Sequence, residues 1–183
     1  MLFCQDGKTA ECEEQMKNIV MIGMPGAGKS TIGVILAKEL GYQFVDSDLV
    51  IQEKEGRLLR EIIASEGLER FKEIENQANF ELDVTNSVIA TGGSVIYGKE
   101  AMERFYEKDI VVYLKLSYKS ISQRIGDPKK RGVVLKEDQT LKDLYEERTP
   151  LYEKYAHVTV DADDLGIGEV MHLVKDKMLP LLS

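Results

Sequence analysis

The sequence predicts an α/β fold in which five parallel strands form one sheet between layers of helices. Three observations carry that expectation. Short β-branched runs alternate with longer helical patterns along the 183 residues, the order that builds β-α units into a parallel sheet. A glycine-rich segment, from Gly23 to Thr31, stands between the first such run and the first helical pattern. The 43% hydrophobic content suffices for one sizeable core at a length that leaves no room for a second.

The elements follow in order. Residues 1–17 are polar and acidic with no apolar period, and are expected to form a disordered extension outside the fold. Residues 18–183 are read as a single domain. Strands are expected at 18–23, 43–46, 87–91, 110–114 and 157–160, with helices at 29–40, 67–82, 117–125, 141–155 and 168–178. Gly41 suits the C-cap of the first helix, and Pro180 stops the last. Glu53, Lys54, Glu55 and Arg57 resemble the solvated face of a further helix. Between two helices, Pro128 leads into Lys129, Lys130, Arg131 and Gly132. This basic loop, about 127–139, is long enough to act as a lid.

Composition narrows the function. A formal net charge of -8 argues against nucleic acid or an anionic membrane as partner, because both are held by a basic face. An anionic small molecule would need a local island of positive groups. No apolar run approaches the roughly 18 residues that span a bilayer, so the expected compartment is the cytoplasm. Cys4 and Cys12 match no common metal spacing and are read as reduced thiols. His157 and His172 have no nucleophile beside them, and Tyr145, Tyr152 and Tyr155 follow helical spacing. All five are read as structural or surface residues.

The chemistry concentrates in two places. Gly23 to Thr31 reads G-M-P-G-A-G-K-S-T, the strand-loop-helix phosphate cradle known as a P-loop. Gly23, Gly26 and Gly28 let the backbone wrap a phosphate while the helix N-terminus directs free N–H groups toward it. Gly26, Ala27, Gly28, Lys29, Ser30 and Thr31 are therefore the candidate nucleotide-binding residues. Lys29, placed on a solvent-facing loop, supplies charge to the β- and γ-phosphates of ATP, and Ser30 offers its hydroxyl to Mg²⁺. The second strand ends in Asp46-Ser47-Asp48, at the sheet edge where open α/β folds bind ligands. On an extended segment both carboxylates would face the same way, Asp46 toward Mg²⁺ through water and Asp48 toward an acceptor hydroxyl.

From residue 18 nearly to the C-terminus the chain resembles the shikimate kinase family. The P-loop, D-S-D at Asp46 to Asp48, A-T-G-G at Ala90 to Gly93, K-K-R at Lys129 to Arg131 and E-R-T-P-L-Y at Glu147 to Tyr152 recur in order. The resemblance implies the nucleoside-monophosphate-kinase-like fold with strand order 2-3-1-4-5. It implies ATP-dependent phosphorylation of shikimate with Mg²⁺, in the pathway to aromatic amino acids. Catalysis would rest on Asp48, Lys29 and the lid residue Arg131. Asp48, Lys72, Gly92, Gly93 and Arg148 would hold the acceptor, and Arg124 would lie beside the adenine. We read the enzyme as a monomer acting on a small molecule.

Three positions depart from the family pattern. Lys72 replaces the arginine of an F-R pair, and an ammonium cannot form the planar two-bond fork to a carboxylate. Arg70, two residues earlier on the same helix, points elsewhere. Ser94 stands where the family has a third glycine, and Asp161 where it often has an arginine near the adenine. Two other readings compete with shikimate phosphorylation. Lys72 and Ser94 would suit a kinase of another small hydroxylated acid or amino acid, such as homoserine. A nucleotide-binding regulator would keep the fold without turnover. The missing N-K-x-D motif, and a D-x-x-G match at Asp163 to Gly166 that falls after the last strand, speak against a GTPase.

Overall fold

The computed structural model describes residues 17–128, 133–136 and 138–182. Its centre is a five-stranded sheet of β1 (Ile19–Ile22), β2 (Gln43–Asp46), β3 (Ser87–Ala90), β4 (Ile110–Lys115) and β5 (Val158–Asp161). All pairings are parallel and the order is β2-β3-β1-β4-β5, as the resemblance implied. β1, β3 and β4 are buried nearly throughout, which is why they read as continuous apolar runs rather than alternating ones.

Helices cover both faces. α1 (Lys29–Leu40) and α7 (Ile167–Met178) pack on one side, while α4 (Lys99–Lys108) and α6 (Leu141–Tyr155) pack on the other, with α5 (Tyr118–Ile125) against α6. α2 (Ser47–Glu55) and α3 (Leu59–Phe80) pack on each other. They enclose a small second core of Ile51, Ile62, Phe71 and Ala78, separate from the main one around β1 and β4. Part of the ligand-binding edge therefore rests on its own limited apolar support.

Most sequence-based boundaries agree within one or two residues, and α1, α6 and β2 agree at both ends. Gly41 adopts the left-handed conformation (φ 71°) and donates its N–H to the Ala37 carbonyl, closing α1 as a glycine can without strain. Glu53 and Lys54 lie on an exposed face at the end of α2, whereas Arg57 falls beyond the helix and, half-buried, pairs with Glu55 and Glu66.

Three readings need correction. α3 starts at Leu59, and the non-helical Gly67 (φ 84°, ψ 169°) divides it in two, so the helix expected from about 67 is its second stretch and the first, 59–66, lies outside that expectation. α4 has no counterpart in the sequence reading. Its buried face is Ala101, Met102 and Phe105, which stand at helical spacing within a charged stretch. The D-S-D segment is not extended throughout, since β2 ends at Asp46 and Ser47 opens α2. The extension at 1–16 and the basic lid residues 129–132 lie outside the described residues.

Candidate active site

The phosphate cradle follows from backbone constraints on three glycines. At Gly23 (φ 144°) a Cβ would stand 2.7 Å from the Leu114 carbonyl oxygen on the neighbouring β4, so no side chain fits where the chain leaves β1. Gly26 (φ 77°) and Gly28 (φ 100°) are also left-handed, and α1 opens immediately afterwards at Lys29. The N–H groups of that first turn have no intrahelical acceptor and face the loop. Lys29 is buried, contrary to the solvent-facing position expected from sequence. Its Nζ donates to the carbonyls of Gly23 (2.8 Å) and Met24 (3.0 Å), leaving one of its three donors for a ligand. Burial pulls its pKa down to about 8, opposed mainly by the nearby Asp48 carboxylate.

Asp46 links the cradle to the acceptor side. Its Oδ2 accepts from the Ser30 hydroxyl (3.2 Å), and its Oδ1 caps α2 by accepting from the Asp48 N–H (3.0 Å). Asp48 thus stands in the first helical turn, where burial and then the Asp46 charge raise its pKa while Lys29 opposes them. Ser30 and Asp46 form a pair of hard oxygen donors beside the phosphate cradle. Among the described residues no cluster of three or more His, Cys, Asp or Glu could hold a metal. A hydroxyl and one carboxylate fit Mg²⁺, which keeps water and phosphate oxygens in its shell, better than a cation needing a full protein cage.

From the P-loop a cavity of about 860 Å³ runs toward α3. Lys29, Asp48, Glu75, Gly92, Gly93 and Arg148 lie along it. The two glycines are sterically required. A Cβ on Gly92 would collide with Glu75 Oε1 and stand 2.9 Å from Asp48 Oδ1, and one on Gly93 would stand 2.7 Å from Pro25 Cδ. The next position, Ser94, accepts a side chain and lines the cavity beside Glu75.

Glu75 escaped the sequence reading. It is fully buried, and its Oε1 has no hydrogen-bond partner among the described residues. Burial raises its pKa to about 7, Asp48 adds to the rise, and Ser94, Arg148 and Lys29 oppose it. The available signal was its position four residues after the buried Phe71, which puts a carboxyl on the inward face of α3.

Arg148 is buried on α6, with its guanidinium 5.3 Å from the Tyr97 ring centroid and its Nε donating to the Tyr97 hydroxyl (3.3 Å). That hydroxyl in turn donates to Glu147 Oε1 (2.5 Å). Tyr152 packs on Tyr113 as expected, and its hydroxyl also fixes the glycine loop by donating to the Gly93 carbonyl (2.6 Å). Lys72 approaches the same Tyr97 ring (4.7 Å) but pairs with Glu69 at 2.8 Å and does not line the cavity. Arg70 pairs with Glu66 and Glu73 on the exposed face.

On the nucleotide side, Arg124 at the end of α5 donates to the Ala27 carbonyl (3.4 Å), so it borders the P-loop. Asp161 at the end of β5 is exposed and accepts from the Asp163 N–H (3.1 Å). Thr31 lines the cavity, while Ala27 is buried beneath it. Arg131 lies outside the described residues. Val133 and Val134, which follow it, line the cavity and bring that end of the expected lid to the site.

Residues 25–178 match the family model described as shikimate kinase. The chain belongs to the shikimate kinase family. A shikimate kinase from Legionella pneumophila is 40% identical over 159 residues, covering 85% of this chain and 91% of the relative. One from Bacillus anthracis is 35% identical over 164 residues, covering 89% and 99%. The solved structure of shikimate kinase from Acinetobacter baumannii in complex with shikimate superposes with a TM-score of 0.80 at 34% identity, covering 91% of this chain and 93% of that one.

Proposed function

We infer that this shikimate kinase family member transfers the γ-phosphoryl group of ATP to a hydroxyl of shikimate, giving shikimate 3-phosphate and ADP. The observation that carries the reading is the convergence of Lys29, Asp48 and Arg148 on one cavity floored by Gly92 and Gly93. A relative of known structure binds shikimate.

Phosphoryl transfer asks a protein mainly for alignment and charge stabilisation. The acceptor oxygen forms a bond to the γ-phosphorus as the bond to the β,γ-bridging oxygen breaks, and the hydroxyl proton passes to Asp48. The raised pKa of Asp48 suits that task, since a base with a pKa nearer the working pH takes the proton more effectively. Gly26, Ala27, Gly28 and Thr31 direct backbone and hydroxyl donors at the phosphates, Lys29 neutralises the γ-oxygens, and Arg131 closes over them from the lid. Ser30 and Asp46 would hold Mg²⁺, which supplies charge neutralisation across the β- and γ-oxygens when bound. Arg124 borders the adenine. Arg148 grips the acceptor carboxylate, and Lys72 adds positive charge beside it through the shared Tyr97 ring.

A monomer in the cytoplasm is the proposed working unit. Among the described residues no helix is long and apolar enough to cross a membrane. The deciding experiment is ADP release measured with ATP and a panel of shikimate, homoserine and related hydroxy acids. Turnover should depend on shikimate. Turnover of another acid with none of shikimate would remove the shikimate reading, and no turnover of any acid would favour a nucleotide-binding regulator.

A further inference from the structure

The family pattern offers two arginines to the acceptor, and one of those positions is Lys72 here. The cavity shows where a second guanidinium comes from. Among the described residues three cations line it: Lys29, Arg148 and Arg60. Lys29 is committed to the P-loop carbonyls and the phosphates, and Arg148 is the buried anchor already assigned. Lys72 lies outside the lining and is paired with Glu69.

Arg60 differs from all three. It sits in the first turn of α3, exposed, and no carboxylate among the described residues pairs with it. Its neighbours on the same helical face, Ile63 and Ala64, also line the cavity, as do Leu68, Phe71 and Glu75 beyond the Gly67 kink. The unpaired guanidinium is therefore at the acceptor end of the site, on the helix that carries the Lys72 replacement.

We propose that Arg60 supplies the second guanidinium contact to the acceptor's carboxylate, in place of the arginine that Lys72 replaces. The proposal rests on the shikimate reading above. A planar guanidinium can form two parallel charge-assisted bonds to a carboxylate, which the Lys72 ammonium cannot. Because Arg60 is exposed and unpaired, its loss leaves the fold intact and no buried partner stranded. The arrangement also makes acceptor affinity depend on the first turn of α3, whose apolar support is the small core of Ile51, Ile62, Phe71 and Ala78.

The test compares wild type, Arg60→Ala, Arg60→Lys and Lys72→Ala with two acceptors, shikimate and its carboxamide. For Arg60→Ala the shikimate KM should rise about tenfold to fiftyfold with kcat and ATP KM nearly constant, the size expected for a lost charge-assisted contact. The carboxamide KM should change less than about twofold, because it carries no charge for the arginine to recognise. Arg60→Lys should fall between, and Lys72→Ala should raise the shikimate KM less than Arg60→Ala does. Calorimetric titration of shikimate should repeat the order without turnover. An unchanged shikimate KM in Arg60→Ala, an equal loss with both acceptors, or a loss in kcat alone would overturn the Arg60 assignment while leaving the shikimate reading standing. Wild type inert toward shikimate would overturn both.

Discussion

The two ends of the cavity are built by different means. The phosphate end is a contiguous stretch, Gly23 to Thr31, in which glycine conformations and the start of α1 do most of the work. The acceptor end is assembled from side chains on α2, α3, the loop after β3 and α6, which meet only in the folded chain. The P-loop matches the family pattern throughout, whereas two of the three departures, Lys72 and Ser94, lie at or behind the acceptor end and the third, Asp161, lies on the nucleotide side outside the P-loop. A backbone cradle recognises what all nucleotides share, while a side-chain pocket can be rebuilt one residue at a time. Lys72 illustrates the second case, because the carboxylate-binding task can pass to another residue that reaches the same space.

The contrast can be broken most sharply at Lys29. Lys29→Met retains the buried aliphatic stem and removes the ammonium, so kcat/KM should fall by at least about a thousandfold with the melting temperature little changed. Near-normal kinetics would mean that the phosphate end does not depend on this charge.

At the acceptor end, Gly92→Ala should push apart Glu75 and Asp48, which flank the α-carbon too closely for a methyl group. We expect the shikimate KM to rise at least about tenfold, with the ATP KM within about twofold, by steady-state assay. A parallel rise in both constants would show that the two ends are mechanically coupled.

Glu75 gives a prediction in pH. Its folded-state pKa of about 7 lies above the ordinary carboxylate value of 4.5, so the native state keeps a proton that the unfolded chain releases. The stability linked to that proton is complete below about pH 4.5 and is lost as the pH rises through about 7. The full loss is about 3 kcal/mol, of which about 2 kcal/mol falls between pH 5 and 7.5. Lys29, with a pKa near 8, remains mostly charged across that interval. Urea denaturation at the two pH values should show wild type losing about 2 kcal/mol more than Glu75→Gln. Equal losses would show that Glu75 is ionised in the native protein at both.

The smallest effect is expected at Lys72. With its ammonium paired to Glu69 and outside the cavity lining, Lys72→Arg should lower the shikimate KM by no more than about threefold. A tenfold or larger gain would restore this position as the direct carboxylate contact.

Much of this was legible in the sequence because it depends on local rules. Glycine is needed where φ is positive, a strand feeding a glycine loop and a helix makes a phosphate cradle, and a buried parallel strand reads as an apolar run. The two carboxylates of Asp46-Ser47-Asp48 were legible at the end of the second strand, whereas the Ser30–Asp46 hydrogen bond and the capping of α2 by Asp46 came only with the fold. Other features depend on which distant surfaces the fold brings together. Glu75 gave no local sign of a raised pKa, because its desolvation comes from packing against the Gly92 loop. Lys29 became buried only when its own loop folded back over it. Arg60 and Lys72 are both cations on one helix, and only their tertiary positions separate a free guanidinium lining the cavity from an ammonium paired outside it.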